Sequence, residues 1–253
     1  MRPGIAAVAF DLDGTLYPNY RLYARLLPFI LKEWRLLLAF GRARGIFHHK
    51  SAHSGFASGA ASDFASGAAA PQEAGCGTQP DFYAEQAAAV AAILGAPQEL
   101  VQAKIETLIY RGWEPYFKKV KLYGGVPQAL EALRSAGLKL GLLSDFPPEN
   151  KIKYLGIGDY WDAALCTEVI GRLKPDPLPF IKLAQALDTK PANILYVGNS
   201  LKYDVAGAWR AGMQTALIHR SVWSTGMRSK NKDGCTPDFA FRDYRQLCDF
   251  VLG

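Results

Sequence analysis

A chain of 253 residues can bury a substantial core and suits one domain carrying an insert, or two small domains. Lys and Arg number 29 against 23 Asp and Glu, a formal charge of +6 spread along the chain; this suits an anionic substrate, and without an aromatic-basic cluster it speaks against dedicated nucleic-acid binding. The four cysteines (Cys76, Cys166, Cys235 and Cys248) form no C-x-x-C pair, which argues against a disulfide framework or zinc ribbon and makes a reducing, cytoplasmic setting the expectation.

Residues 6–10 are apolar throughout, as in a parallel strand buried on both faces. The run ends in Asp11-Leu12-Asp13-Gly14-Thr15. In an open α/β sheet, Asp11 and Asp13 then stand at the edge where such sheets bind ligands. Gly14 permits a sharp turn, and Thr15 can bond locally to hold it. Two carboxylates separated by a single residue repel each other, so a cation is expected to join them. The same acids interrupt the apolar stretch before it could serve as a signal peptide.

Residues 20–40 read as one helix, with Leu22, Leu26, Phe29, Ile30, Leu37 and Leu38 on one side and Pro28 at a kink or break. Arg25, Lys32, Glu33 and Arg35 are too costly for a membrane span. An apolar helix followed by Arg42, Arg44 and Lys50 also meets the needs of an interfacial helix, so membrane-surface contact stands as the weaker alternative to packing within a helical insert. Residues 51–78 are small, with an imperfect repeat of Phe-Ala-Ser-Gly-Ala, the composition of a mobile loop. His48, His49 and His53 with Cys76 could suggest a metal site, but they lie in or beside this low-complexity stretch, which favours the blander reading. Order resumes at Asp81 with a helix over 82–94 closed by Gly95. Pro97 opens another, striped by Leu100, Val101, Ile105, Leu108 and Ile109.

From Tyr123 the texture becomes alternating. Helices are predicted at 126–133, 150–155, 177–187, 205–211 and 243–252, with strands at 138–143, 163–165, 194–197, 215–218 and 238–241. Such alternation argues for an α/β fold, a doubly wound parallel sheet with helices on both faces. Three strands then end in polar residues at one edge: Asp11, Ser144 and Asn199. Lys174, in Leu-Lys-Pro-Asp-Pro, enters a Pro-bounded helix near that edge.

This ordered set resembles the haloacid dehalogenase-like (HAD) hydrolases. Asp11-Leu12-Asp13-Gly14-Thr15 matches the first motif of that superfamily, Leu142-Leu143-Ser144-Asp145 the second and Lys174 the third. Residues 197–204, Val-Gly-Asn-Ser-Leu-Lys-Tyr-Asp, resemble the Gly-Asp-x-x-x-x-Asp form of the fourth. The resemblance implies a Rossmann-type core over 1–16 and 120–253, and a C1-type helical cap over 17–119 that holds a flexible low-complexity loop at about 51–79. It implies a magnesium-dependent phosphatase acting on a small phosphorylated metabolite. Asp11 would be the nucleophile that becomes aspartyl-phosphate, and Asp13 the general acid/base. Ser144, Asp145 and Lys174 would bind the substrate, with Ser144 and Lys174 also serving catalysis. Magnesium would be held by Asp11, Asp13, Asn199 and Asp204. An acid at Asp13, which the dehalogenases of the superfamily lack, favours phosphoryl transfer over carbon–halogen cleavage. Asn199 departs from the pattern and removes one negative charge from the metal set. Alternatives are a phosphomutase-type transferase, if the cap excludes water, and a phospho-ligand-binding protein with a weakened metal site. Trp34, Trp113, Tyr116 and Phe117 are candidates for the cap face, although core packing explains aromatics more often. Substrate identity and oligomeric state are not legible.

Overall fold

The computed structural model describes residues 2–53, 81–219 and 234–253. In chain order, β1 (Ala7–Phe10) is followed by helices α1 (Asn19–Lys32), α2 (Trp34–His53), α3 (Phe82–Leu94), α4 (Gln98–Lys104) and α5 (Gly112–Phe117), with a π-helical stretch (Ile105–Arg111) joining the last two. Then come α6 (Val126–Ser135), β2 (Lys139–Ser144), α7 (Glu149–Tyr154), β3 (Ala163–Cys166), α8 (Thr167–Ile170), α9 (Pro177–Ala186) and β4 (Ile194–Gly198). A π-helical turn (Leu201–Val205) leads into α10 (Ala206–Arg210), and β5 (Gln214–Ile218), β6 (Phe239–Phe241) and α11 (Tyr244–Leu252) complete the order.

The six strands form one parallel sheet in the order β3-β2-β1-β4-β5-β6, so the predicted doubly wound architecture is borne out. Strand order reverses at β1, which pairs with β2 on one side and β4 on the other. Phe10 lies opposite both Leu142 and Val197. Asp11 therefore emerges level with Leu143 and Gly198, and Ser144 and Asn199 follow one residue beyond. Period-2 alternation divides the core. Val8 and Phe10 pack with α6 and α11 through Leu130, Leu133, Tyr244 and Leu247. Ala7 and Ala9 face α9 through Phe180, Leu183 and Leu187. A fully buried leucine of this kind contributes about 1.5–3 kcal/mol, so the sheet edge rests on a rigid base.

The helical segment departs from expectation in two places. Residues 20–40 do not form one helix; the break falls at Glu33, whose amide still donates to Phe29 O at 2.9 Å, while Pro28 sits inside α1 without ending it. α2 then runs through Gly41 and Gly45 to His53, so residues 51–53 are helical rather than the start of a loop. The rest of the expected loop, including Cys76, lies outside the described residues. Re-phasing at Glu33 also moves the inward stripe. Leu36, Ala39, Phe40 and Ala43 pack on Val90, Ala91, Val101 and Ile105, whereas Leu38, expected inside, is exposed with Leu27, Leu31 and Trp34. Leu100 is likewise exposed, while Val101, Ile105 and Ile109 are buried. Residues 82–94 fold as predicted: Asp81 accepts from Tyr83 N at 3.0 Å, and Gly95 closes α3 at φ +63°, a left-handed conformation suited to glycine. Among the described residues no helix is long and apolar enough to cross a membrane.

Candidate active site

β1 delivers Asp11 into a nearly closed setting. Thr15 Oγ1 donates to Asp11 Oδ2 at 2.7 Å, and Tyr244 OH donates to the Thr15 carbonyl at 2.7 Å, so α11 braces the turn from behind. Lys174 Nζ donates to Asp11 Oδ1 at 2.6 Å and to Asp204 Oδ1 at 2.8 Å. The other Asp204 oxygen accepts from the backbone amides of Asn199 (3.2 Å) and Ser200 (3.0 Å). One ammonium thus joins the ends of β1 and β4, with the lysine only 3% exposed. Burial pushes the Asp11 carboxyl up to about 7 against the pull of Lys174, with Asp204 and Asp13 adding to the rise. Lys174 itself is held well above the usual lysine range, because the attraction of Asp11 and Asp204 overcomes its desolvation.

Asp13 has a separate cation. Lys151 Nζ, from α7, lies 2.8 and 2.9 Å from its two oxygens. Tyr17 OH donates to Oδ1, and Ser144 Oγ donates to Oδ2 at 3.3 Å. The Lys151 ammonium also sits over Phe146 at 5.0 Å and Phe117 at 5.2 Å. Burial pushes the Asp13 carboxyl up, but Lys151 and Tyr17 outweigh it and hold the group below its usual value. The Asp11 and Asp13 carboxyls are therefore shifted in opposite directions, Asp11 raised and Asp13 lowered.

Of the other expected residues, Ser144 is fully buried between Asp13 and Phe146 N, which donates to its Oγ at 3.2 Å. The Asp145 carboxylate is taken up by Thr167 Oγ1 at 2.8 Å and faces His48 Nε2 at 3.8 Å, on the side where α2 meets the sheet. Asn199 stands exposed on the β4 loop, its side chain against Gly14. Gly14 has φ +92°, and a Cβ there would lie 2.2 Å from Asn199 Nδ2. Gly14→Ala is therefore expected to lower stability by about 1–3 kcal/mol through backbone strain and to displace Asn199. Thermal unfolding with and without magnesium checks both effects; an unchanged transition temperature would refute the strain argument.

Sequence reasoning missed Lys151, Tyr17 and the residues that hold α2 down. Tyr17 lay four residues after Asp13, but Lys151 belongs to no motif and reaches Asp13 only through the α7 turn. Arg44, from α2, pairs with buried Glu168 of α8, which also accepts from Tyr110 OH at 3.0 Å. Burial and Arg44 pull the Glu168 carboxyl in opposite directions, and burial prevails to leave it raised. His48 Nδ1 donates to the Lys174 carbonyl at 2.6 Å, and burial lowers its pKa, so the ring is neutral near pH 7.

No cluster of three or more His, Cys, Asp or Glu able to hold a metal occurs among the described residues. The Asp11 and Asp204 carboxylates meet at Lys174 on this edge, and the Asn199 amide reaches the Gly14 turn through its Nδ2, so the edge offers carboxylate and amide groups. These are hard ligands that fit magnesium, with one negative charge fewer than an all-carboxylate set would bring.

A model of a hydrolase family, haloacid dehalogenase-like hydrolase, matches residues 5–212. Glyceraldehyde 3-phosphate phosphatase of Methanopyrus kandleri is 37% identical over 138 residues, which is 53% of this chain and 58% of that protein. The chain spans about half the length of the curated relatives it matches first. Among solved structures, a HAD phosphatase from Thermococcus onnurineus superposes with TM-score 0.59 at 22% identity, covering 98% of each chain. L-2-haloacid dehalogenase from Xanthobacter autotrophicus superposes with TM-score 0.64 at 20% identity, over 98% of this chain and 99% of that one. Identities this low speak to fold alone.

Proposed function

The chain belongs to the haloacid dehalogenase-like hydrolase family, and from that premise we propose that it is a magnesium-dependent phosphatase that hydrolyses a small phosphorylated metabolite through an aspartyl-phosphate on Asp11. The observation that carries the reading is the pairing of each acid with its own lysine: Asp11 with Lys174, and Asp13 with Lys151. In this reading residues 17–119 act as the cap over a core formed by 1–16 and 120–253.

Asp11 attacks phosphorus in line while Lys174 and the Ser144 hydroxyl take up charge on the phosphoryl oxygens. The leaving oxygen needs a proton, and Asp13 is the acid on that side. Transfer of Lys151 from Asp13 to the incoming phosphoryl group removes the contact that holds this carboxyl ionised, and burial then favours its protonated form. Once the alcohol has left, Asp13 is the base for the water that cleaves the acyl-phosphate. Magnesium, held by Asp11, the Asp13 carbonyl, Asn199 and Asp204, would supply charge neutralisation on the phosphoryl oxygens. A dehalogenase reading is weaker on physical grounds. Halide departs without a proton, so the acid that Asp13 offers to a leaving oxygen would have no task in that step.

Hydrolysis of a generic phosphate monoester, measured with and without magnesium, tests the proposal; absence of magnesium-dependent phosphate release from folded protein at high magnesium would sink it. Asn199→Asp restores a full charge to the ligand set and is expected to tighten magnesium about tenfold or more, consistent with affinity following ligand charge. Calorimetric titration with the metal alone reads that change independently of turnover, and equal affinities in the two proteins would remove Asn199 from the ligand set.

A further inference from the structure

A cavity of about 110 Å³ opens onto Asp13 between α1, the π-helical stretch, α5 and α7. Its walls carry Tyr23, Tyr110, Trp113, Phe117 and Phe146, with Leu22 and Ile109 beside them. Because Asp13 is the acid that serves the leaving oxygen, whatever hangs from that oxygen on this side enters the cavity.

Several polar groups on the lining are already engaged, among them Tyr110 OH with Gln86 and Glu168, while Asn19 and Tyr23 also line it. Lys151 is held by both Asp13 oxygens, and Asn150 Nδ2 donates to Glu114 Oε1 at 2.7 Å. The indole N–H of Trp113 is shielded from solvent and has no hydrogen-bond partner among the described residues. A polyol desolvated here would leave several hydroxyls unpaired, at roughly 1–3 kcal/mol each. A carboxylated alcohol would meet the Glu114 carboxylate, while Lys151 is taken up by Asp13 and then by the phosphoryl group. A flat apolar group meets aromatic faces on several sides and needs at most one acceptor for the indole. At about 110 Å³ the cavity is smaller than the roughly 150 Å³ that encloses a benzene ring, so it takes no more than a single ring, with part of it in the open mouth.

We propose that the cavity receives the leaving-group alcohol and that the substrates are phosphate monoesters of small, flat, apolar alcohols of the benzyl or aryl type. The inference rests on the phosphatase reading above for its chemistry, and on the cavity alone for its binding.

The experiment uses the full chain with magnesium and has two arms. In the first, kcat/KM is compared for benzyl phosphate, phosphoglycolate and glyceraldehyde 3-phosphate, with benzyl phosphate expected to lead by about tenfold or more, the size of one good aromatic contact. In the second, binding of benzyl alcohol, which carries no phosphate, is followed by saturation-transfer NMR in wild type, Trp113→Ala and Tyr23→Ala. Tyr23 is half exposed at the cavity mouth, so its truncation keeps the arm readable if the tryptophan variant misfolds. Each truncation is expected to weaken benzyl alcohol and raise the KM for benzyl phosphate about three- to tenfold, with the inhibition constant of inorganic phosphate moving less than about twofold. Turnover that favours phosphoglycolate, with no binding of benzyl alcohol, overturns the substrate class and leaves the phosphatase standing. Benzyl alcohol that binds and is weakened by both truncations, with no ester hydrolysed, supports the cavity and overturns the phosphatase. Neither binding nor benzyl phosphate turnover overturns the proposal outright.

Discussion

Asp11→Asn is expected to lower magnesium-dependent phosphate release by about 10⁴-fold or more, in line with removal of a covalent nucleophile. The amide keeps the shape of the carboxylate: its one oxygen can accept from Lys174, and its Nδ2 then donates to Thr15 Oγ1, whose hydroxyl turns to accept. Stability is expected to run the other way. The folded carboxyl is raised to about 7 by burial, above its unfolded value of 3.8, so the folded state binds the extra proton between those two pH values. Its stabilising contribution is complete below 3.8 and is lost as pH rises through about 7. With magnesium chelated, the wild type should therefore lose stability relative to Asp11→Asn as pH rises across that window, and the difference should level off above it. Urea titrations at a series of pH values, beside phosphate-release assays, measure both effects. A variant that keeps more than about one percent of wild-type turnover would show that the covalent step does not use Asp11.

How much of this could be seen in advance depended on the range of the interaction. The sheet was legible because buried parallel strands are short apolar runs bounded by turn residues, and 7–10, 139–144 and 194–198 each carry that signature. The convergence of Asp11, Ser144 and Asn199, with Lys174 nearby, was legible because parallel strands share one C-terminal edge; Asp204 was named only through the family resemblance. The Lys151–Asp13 pair was not, since an isolated lysine on a short helix has no local pattern that reveals a partner 138 residues away. The Arg44–Glu168 pair, 124 residues apart, was hidden for the same reason. In the helical segment, a stripe read from composition could not anticipate the change of phase at Glu33, because both Leu37–Leu38 and Leu36–Ala39–Phe40 satisfy helical spacing. Tertiary packing selected the second set. The aromatics of the helical segment show the same limit: Trp113 and Phe117 line the cavity, whereas Trp34 is exposed on the far side of the Glu33 break.

Lys174→Met is expected to have the largest effect on stability, about 3–5 kcal/mol, because it leaves two buried carboxylates without their cation. Methionine fills the slot with similar bulk, so lost packing is a small part of that figure. The deficit should grow with pH. Without the ammonium, Asp11 holds its proton to higher pH, and the variant approaches wild-type stability only as pH falls. Turnover should vanish as well, but loss of activity cannot separate a chemical role from a damaged site. The double variant Lys174→Met/Asp204→Asn separates them. Removing one unpaired charge should restore a large part of the stability while turnover stays absent, giving a coupling energy well above the ~0.5 kcal/mol expected for independent sites. A double variant as unstable as Lys174→Met alone would mean that Asp204, fixed by the amides of Asn199 and Ser200, does not depend on the lysine. Asp11 would then be the carboxylate whose burial Lys174 makes tolerable.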